Sequence, residues 1–204
     1  MIYDVTIITV QPGSHPMALA RLEQSLPAAQ PGGELLACWY TELGALNQIL
    51  VLHGYEDPAK LLADRQAVLM TSDPFGIGNI FVGMSMDSWV SFPSLPPIRP
   101  VEIGPVFEVR SYVLRPDGLA KTIELWRAAL PARARLSPVL TAMHSVSGAV
   151  TRFMHIWPYP SLDERARLRA KAVGEGVWPP PGGPTLLVSQ QSDIFLPARF
   201  SPIR

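Results

Sequence analysis

The chain repeats itself at an offset of about 104 residues, and this repeat restricts its possible folds more than any other feature. Ile2–Gly13 (IYDVTIITVQPG) returns as Val106–Gly118 (VFEVRSYVLRPDG), and Gly44–Tyr55 (GALNQILVLHGY) returns as Gly148–Tyr159 (GAVTRFMHIWPY). Leu26–Ala28 returns as Leu130–Ala132, and Leu95–Arg99 (LPPIR) is answered by Phe200–Arg204 (FSPIR). A period near 100 residues is too long for a solenoid unit and suits a duplicated small domain. The expected division is residues 1–100 and 101–204, with the proline-rich stretch Phe92–Gly104 as linker.

Within one half the pattern is that of strands and helices in a fixed order. Tyr3–Val10 is rich in β-branched residues and ends at the turn signal Gln11-Pro12-Gly13. Leu19, Leu22 and Leu26 then fall on one helical stripe, repeated as Ile123, Trp126 and Leu130. Glu34–Tyr40 and Leu46–His53 read as a hairpin across Gly44. Asp57-Pro58 opens a second helix, and Ser161 leads its counterpart Leu162–Gly174. Asn79–Ser85 and Pro184–Ser189 read as closing strands. Each half is therefore β-α-β-β-α-β, the order of a ferredoxin-like unit with both helices on one face of an antiparallel sheet. The bare face needs a partner. The fold class expected is α+β, two tandem ferredoxin-like repeats whose sheets face each other as a barrel inside one chain.

Composition removes several classes of function. Seventeen basic and seventeen acidic side chains balance, which argues against a nucleic-acid partner, since phosphate neutralisation needs a basic surface. The balance conceals a difference of sign: residues 1–100 carry nine acidic and four basic side chains, residues 101–204 eight and thirteen. That difference suits mutual attraction of the halves or an anionic ligand on the second. Cys38 is the one cysteine, which excludes an intrachain disulfide, and it reads as a core thiol. No membrane span and no leader are expected, because no apolar run approaches 18 residues and the chain enters a strand pattern at once. The expected setting is soluble and cytoplasmic.

Phe107–Pro116 (FEVRSYVLRP), Gly148–Tyr159 and Ser161–Ala170 (SLDERARLRA) resemble the NIPSNAP family, and the resemblance spans the chain as two repeats, closer in the second. It implies the dimeric α+β barrel fold. It implies little chemistry, because the family's biochemical role is poorly defined. The resemblance links eukaryotic members to mitochondria and vesicle traffic, and no transit peptide is expected here to carry that over.

Strand alternation sorts the residues that could carry chemistry. Glu108, Arg110 and Tyr112 share one face of their strand, and Phe153, His155 and Trp157 share one face of theirs. With the more apolar sets packed beneath the helices, Glu108, Arg110, Tyr112, His155 and Trp157 would point into the space between the sheets. These five also match recurring positions of the family resembled. Two readings stand side by side: a polar ligand pocket, and cross-strand pairing without chemistry. The first half has Asp4, Thr6 and Ile8 in place of the first three, and Val51 and His53 in place of the last two, so a site would be asymmetric.

No metal or cofactor is expected. The histidines lack the i, i+4 spacing of a helical zinc site, and no cysteine pair exists. Arg165, Arg167, Arg169 and Lys171 read as a solvated helix with local ion pairs, and Trp178–Pro184 as a stiff loop over one barrel mouth. The functional expectation is a module binding a small molecule or a protein in the cleft between the sheets, with a homodimer compatible. The alternative is a cofactor-independent monooxygenase, isomerase or cyclase working by acid–base residues.

Overall fold

The computed structural model describes residues 1–204. The first half runs β1 (Ile2–Val10), α1 (His15–Ala29), β2 (Glu34–Leu43), β3 (Gln48–Tyr55), α2 (Pro58–Met70) and β4 (Phe81–Ser91). The second runs β5 (Val106–Leu114), α3 (Leu119–Ala134), β6 (Thr141–Ser145), β7 (Arg152–Tyr159), α4 (Leu162–Gly174) and β8 (Leu187–Pro197). The helix starts anticipated from capping residues form as such. Asp57 accepts the Ala59 amide and Ser161 accepts the Glu164 amide, each satisfying a donor that a helix N-terminus leaves open.

All eight strands close into one antiparallel barrel, in the order β1-β3-β2-β8-β5-β7-β6-β4. Each half contributes a ferredoxin-like sheet, and two seams join them: Trp39–Leu43 with Ile194–Pro197, and Trp89–Ser91 with Met143–Ser145. Closure consumes both edges of both sheets, so no unpaired strand edge is offered to another chain. The closing strands are longer and later than the alternation suggested, Phe81–Ser91 instead of Asn79–Ser85 and Leu187–Pro197 instead of Pro184–Ser189. Their second parts carry Asp87, Ser88, Ser192 and Asp193, and these polar residues break the period-two hydrophobic signal that strand reading relies on.

Three buried clusters organise the molecule. The barrel interior is packed with Tyr3, Val5, Trp39, Leu50, Leu52, Phe107, Val109, Met154 and Ile156, with Trp39 stacked on Phe107 at 4.2 Å between centroids. An aliphatic cluster lies beneath the first-half helices, including Ile8, Leu22, Leu26 and Val51. An aromatic one lies beneath the second-half helices, built from Tyr112, Trp126, Phe153 and Trp157. The apolar strand faces thus belong inside the barrel, which corrects the facing expected from alternation. Glu108, Arg110, Tyr112, His155 and Trp157 alternate with interior residues of their strands and lie outside the barrel, beneath α3 and α4. The physical reason is closure. The inward strand faces of a closed barrel can pack only against each other, whereas long polar side chains from the helices can reach the outer face.

The two PIR segments at the half ends plug one end of the barrel. Ile98 and Ile203 are buried in the interior cluster. The Ile98 amide donates to Tyr3 Oη at 2.9 Å, and Trp39 Nε1 donates to the Ile203 carbonyl at 2.8 Å. The Ile203 amide adds a bond to the Leu36 carbonyl at 3.0 Å. Ile203→Ala is expected to destabilise the fold by about 2–5 kcal/mol, because it opens a cavity in a packed interior. Arg204→Ala, on the exposed neighbour, is expected to change stability by less than about 0.5 kcal/mol. Urea unfolding midpoints check the pair, and equal effects would contradict the plug.

Candidate functional site

Beneath α3 and α4 a buried carboxylate gathers three guanidinium groups. Glu108 on β5 has no exposed surface. Its Oε1 accepts from Arg110 Nη1 at 2.7 Å, from Ser192 Oγ at 2.9 Å and from Arg165 Nη2, and its Oε2 lies 3.4 Å from Arg169 Nη1. Burial works against the Glu108 charge, but the Arg165 hydrogen bond and the Arg169 and Arg110 charges outweigh it and hold the carboxyl at about 2. The first half carries a shorter version of this tie: Asp4, also fully buried, takes Arg65, Thr6 and Gln30. Asp4 and Glu108, and likewise Arg65 and Arg169, are each 104 residues apart, so a strand carboxylate bound by a helix arginine belongs to both copies.

Beside this network the second half holds a cavity of about 190 Å³. Trp126, Phe153, Tyr112 and Trp178 form its aromatic walls. The Trp178–Pro184 loop covers this cavity rather than a barrel mouth, with Trp178 edge-on to Trp126 at 4.7 Å. At the positions of Tyr112, Trp126 and His155 the first half has Ile8, Leu22 and Val51, which fill the equivalent space with aliphatic packing.

Of the five residues singled out from the sequence, Arg110, Tyr112 and His155 line the cavity. Glu108 and Trp157 stand behind it. Glu108 anchors arginines, and Trp157 orients His155 by donating from Nε1 to His155 Nδ1 at 2.6 Å. That bond occupies the imidazole lone pair at Nδ1 and places the ring proton on Nε2. Burial holds the His155 pKa well below its ordinary value, and the Arg110 charge adds to this, so the ring is a neutral donor. Tyr112 Oη accepts from Arg110 Nε, and burial raises the phenol pKa.

The helices supply what strand alternation could not. Arg133, only 2% exposed, lies over the Trp157 ring at 4.4 Å and reaches Tyr159 Oη at 3.3 Å. It has no carboxylate partner, because the nearby Glu108 is engaged by Arg110, Arg165 and Arg169. Its sequence signal was present: the stripe Ile123, Trp126, Leu130 continues to Arg133 at the next helical step. The basic run on α4 splits by face. Arg165 and Arg169 turn inward to Glu108, whereas Arg167 and Lys171 pair on the surface with Glu164 and Glu175.

Glu108→Gln is expected to destabilise the protein at neutral pH by about 3–5 kcal/mol, since three arginines lose their buried counter-charge. The folded-state pKa of about 2 lies below the ordinary 4.5, so the stabilisation from Glu108 is full above pH 4.5 and is lost as pH falls towards 2. The stability gap between wild type and variant is expected to narrow across that window. Denaturant midpoints measured between pH 2 and 6 check this. A gap constant with pH would contradict it.

Comparison with known proteins follows the same division into halves. The family profile described as NIPSNAP matches residues 3–74 and 107–202. A NipSnap homolog from Dictyostelium discoideum is 23% identical over 187 residues, covering 83% of this chain and 77% of that protein. NipSnap homolog 3A from Homo sapiens is 24% identical over 220 residues, covering 99% and 85%. An anthrone oxidase-like protein shares the fold with a TM-score of 0.63 at 10% identity, covering 97% of this chain and 91% of its own. A candidate monooxygenase from Lactobacillus acidophilus does so with a TM-score of 0.64 at 8% identity, covering 96% and 92%. These last two likenesses speak to the fold alone. With both halves matched by one profile and relatives running most of its length, the chain belongs to the NIPSNAP family.

Proposed function

We propose that the cavity beneath α3 and α4 binds a small organic anion with a flat apolar body, of the aromatic carboxylate class. One observation carries this reading. His155 Nε2, Arg133 Nε and Thr122 Oγ1 are buried without hydrogen-bond partners, and all three residues line the same cavity. Each can donate a proton, and a buried donor left unsatisfied costs about 1–3 kcal/mol. An acceptor-rich ligand relieves that cost. The surrounding charge favours the same chemistry, since Arg110, Arg133, Arg165 and Arg169 are offset locally by Glu108 alone. The aromatic walls suit a planar body. The volume suits one ring with a carboxylate, given that apolar cavities of about 150 Å³ accommodate benzene.

In this reading residues 101–204 are the ligand-bearing copy, and residues 1–100 are the copy that completes the barrel. Every residue lining the cavity, from Arg110 to Gln190, falls within residues 101–204. No helix is long and apolar enough to cross a membrane.

A second reading, a cofactor-independent enzyme, draws support from Tyr112 and His155, whose rings lie 4.9 Å apart in one cavity wall. The engaged Nδ1 makes His155 a donor rather than a base, so binding is the better supported function. The names of the fold neighbours point to oxygenase and oxidase chemistry. Consumption of dioxygen with a bound aromatic carboxylate, lost in His155→Phe, would favour the enzyme.

Isothermal titration with benzoate and benzyl alcohol tests the binding reading. Benzoate is expected to bind saturably and more tightly than the alcohol. Arg133→Met, shown to be folded by near-ultraviolet circular dichroism, is expected to weaken benzoate at least about tenfold, the loss typical of a charge-assisted hydrogen bond. Equal benzoate affinity in wild type and variant, or no binding at all, would contradict it.

A further inference from the structure

The end of the barrel opposite the isoleucine plug holds a second cavity, also about 190 Å³, inside the ring of strands. Its polar lining includes Gln48, Asp87, Ser111, Arg152 and Asp193. Two of these carboxylates are equivalents in the duplicated architecture. Asp87 stands opposite Val5 on β1, Asp193 stands opposite Val109 on β5, and Val5 and Val109 are themselves 104 residues apart. Each carboxylate presses on the hairpin glycine of the other half. A Cβ on Gly148 would fall 2.3 Å from Asp87 Oδ1, and one on Gly44 would fall 1.9 Å from Asp193 Oδ1.

The equivalence breaks at the cation. Asp87 pairs with Arg152 Nη2 at 3.1 Å. The residue 104 positions before Arg152 is Gln48, and Asp193 has only neutral partners, the Ala45 amide at 3.0 Å and Gln191 Nε2 at 2.8 Å. Asp193 is 8% exposed, and buried carboxylates are ordinarily matched by a cation. A separate observation comes from the wall of the same cavity. Trp89 is 2% exposed, and its indole N–H has no partner. Arg152 already lies over the Trp89 ring, 5.2 Å from its centroid. The cavity thus contains a carboxylate lacking its counter-charge and a donor lacking its acceptor.

We propose that this barrel mouth is a second ligand site, taking a small primary ammonium compound that also carries an oxygen acceptor. The ammonium group meets Asp193 in the place where its equivalent meets an arginine, and the oxygen takes the Trp89 N–H. The site is independent of the anion pocket, which lies on the other side of the sheet and has the opposite charge preference.

Ethanolamine is the probe. In the ¹⁵N-labelled protein the Trp89 indole cross-peak, assigned by its loss in Trp89→Phe, is expected to shift saturably as ethanolamine rises to about 10 mM. Ethylene glycol and acetate are expected not to reproduce the shift. Asp193→Asn keeps an acceptor for the Ala45 amide and is expected to weaken binding at least about tenfold. Gln48→Arg supplies the missing guanidinium and is expected to abolish binding. Should Asp193→Asn fail to fold, Gln48→Arg decides alone, because the second half already carries arginine at that position. No saturable shift, an equal response to ethylene glycol, or unchanged binding in the folded variants would overturn the proposal.

Discussion

The structure depends on one packing constraint: a four-stranded sheet with both helices on one side leaves its other side bare. Burying that side removes a large apolar area from water, at about 25 cal/mol per Å², and no element of the same half is available to do it. The second copy covers it. Val5, Leu50 and Leu52 from one sheet meet Phe107, Val109, Met154 and Ile156 from the other in a single cluster, and Trp39 stacks across the β2–β8 seam region on Phe107. Ile98 and Ile203 then close one end, so the same repeated tripeptide finishes each half in the same dry interior.

Because both copies share the interior, their outer faces could diverge. The tie between a strand carboxylate and a helix arginine persists in both, as Asp4 with Arg65 and as Glu108 with Arg169. Around it the first copy packs Ile8, Leu22 and Val51, whereas the second carries Tyr112, Trp126 and His155 and leaves a cavity. Such a replacement exchanges aliphatic volume for hydrogen-bonding capacity. It also concentrates positive charge, since the extra arginines of the second half, Arg110, Arg133 and Arg165, surround the single carboxylate that the first half matches with Arg65. The charge difference between the halves is thus concentrated in part at this site, as well as on the surface.

The architecture was legible because duplication writes long-range information into sequence. An offset of 104 residues shows which strands are equivalent, and a βαββαβ order with one bare face leaves few ways to bury it. The site was legible only in part. Alternation grouped Glu108, Arg110 and Tyr112 correctly, and His155 with Trp157, yet it could not say which face of a closed barrel is inside. Both faces are buried here, so the usual contrast between wet and dry sides was missing. Arg133 was hidden for another reason. An arginine near a helix end reads as solvent-exposed unless its apolar stripe is followed one step further. The Trp178–Pro184 loop was recognisable as stiff, but where it docks depends on Trp126, a contact that no local pattern encodes.

Between the sheet and helices of the second half, donors without partners line a cavity suited to the small organic anion proposed for it. The most direct measurement is a crystal structure with 4-bromobenzoate, using the anomalous signal of bromine to locate the ligand. One strong peak is expected among Trp126, Phe153 and Trp178, with the carboxylate within hydrogen-bond distance of Arg133 and His155. A peak confined to the barrel interior or the surface, with this cavity occupied only by water, would contradict it.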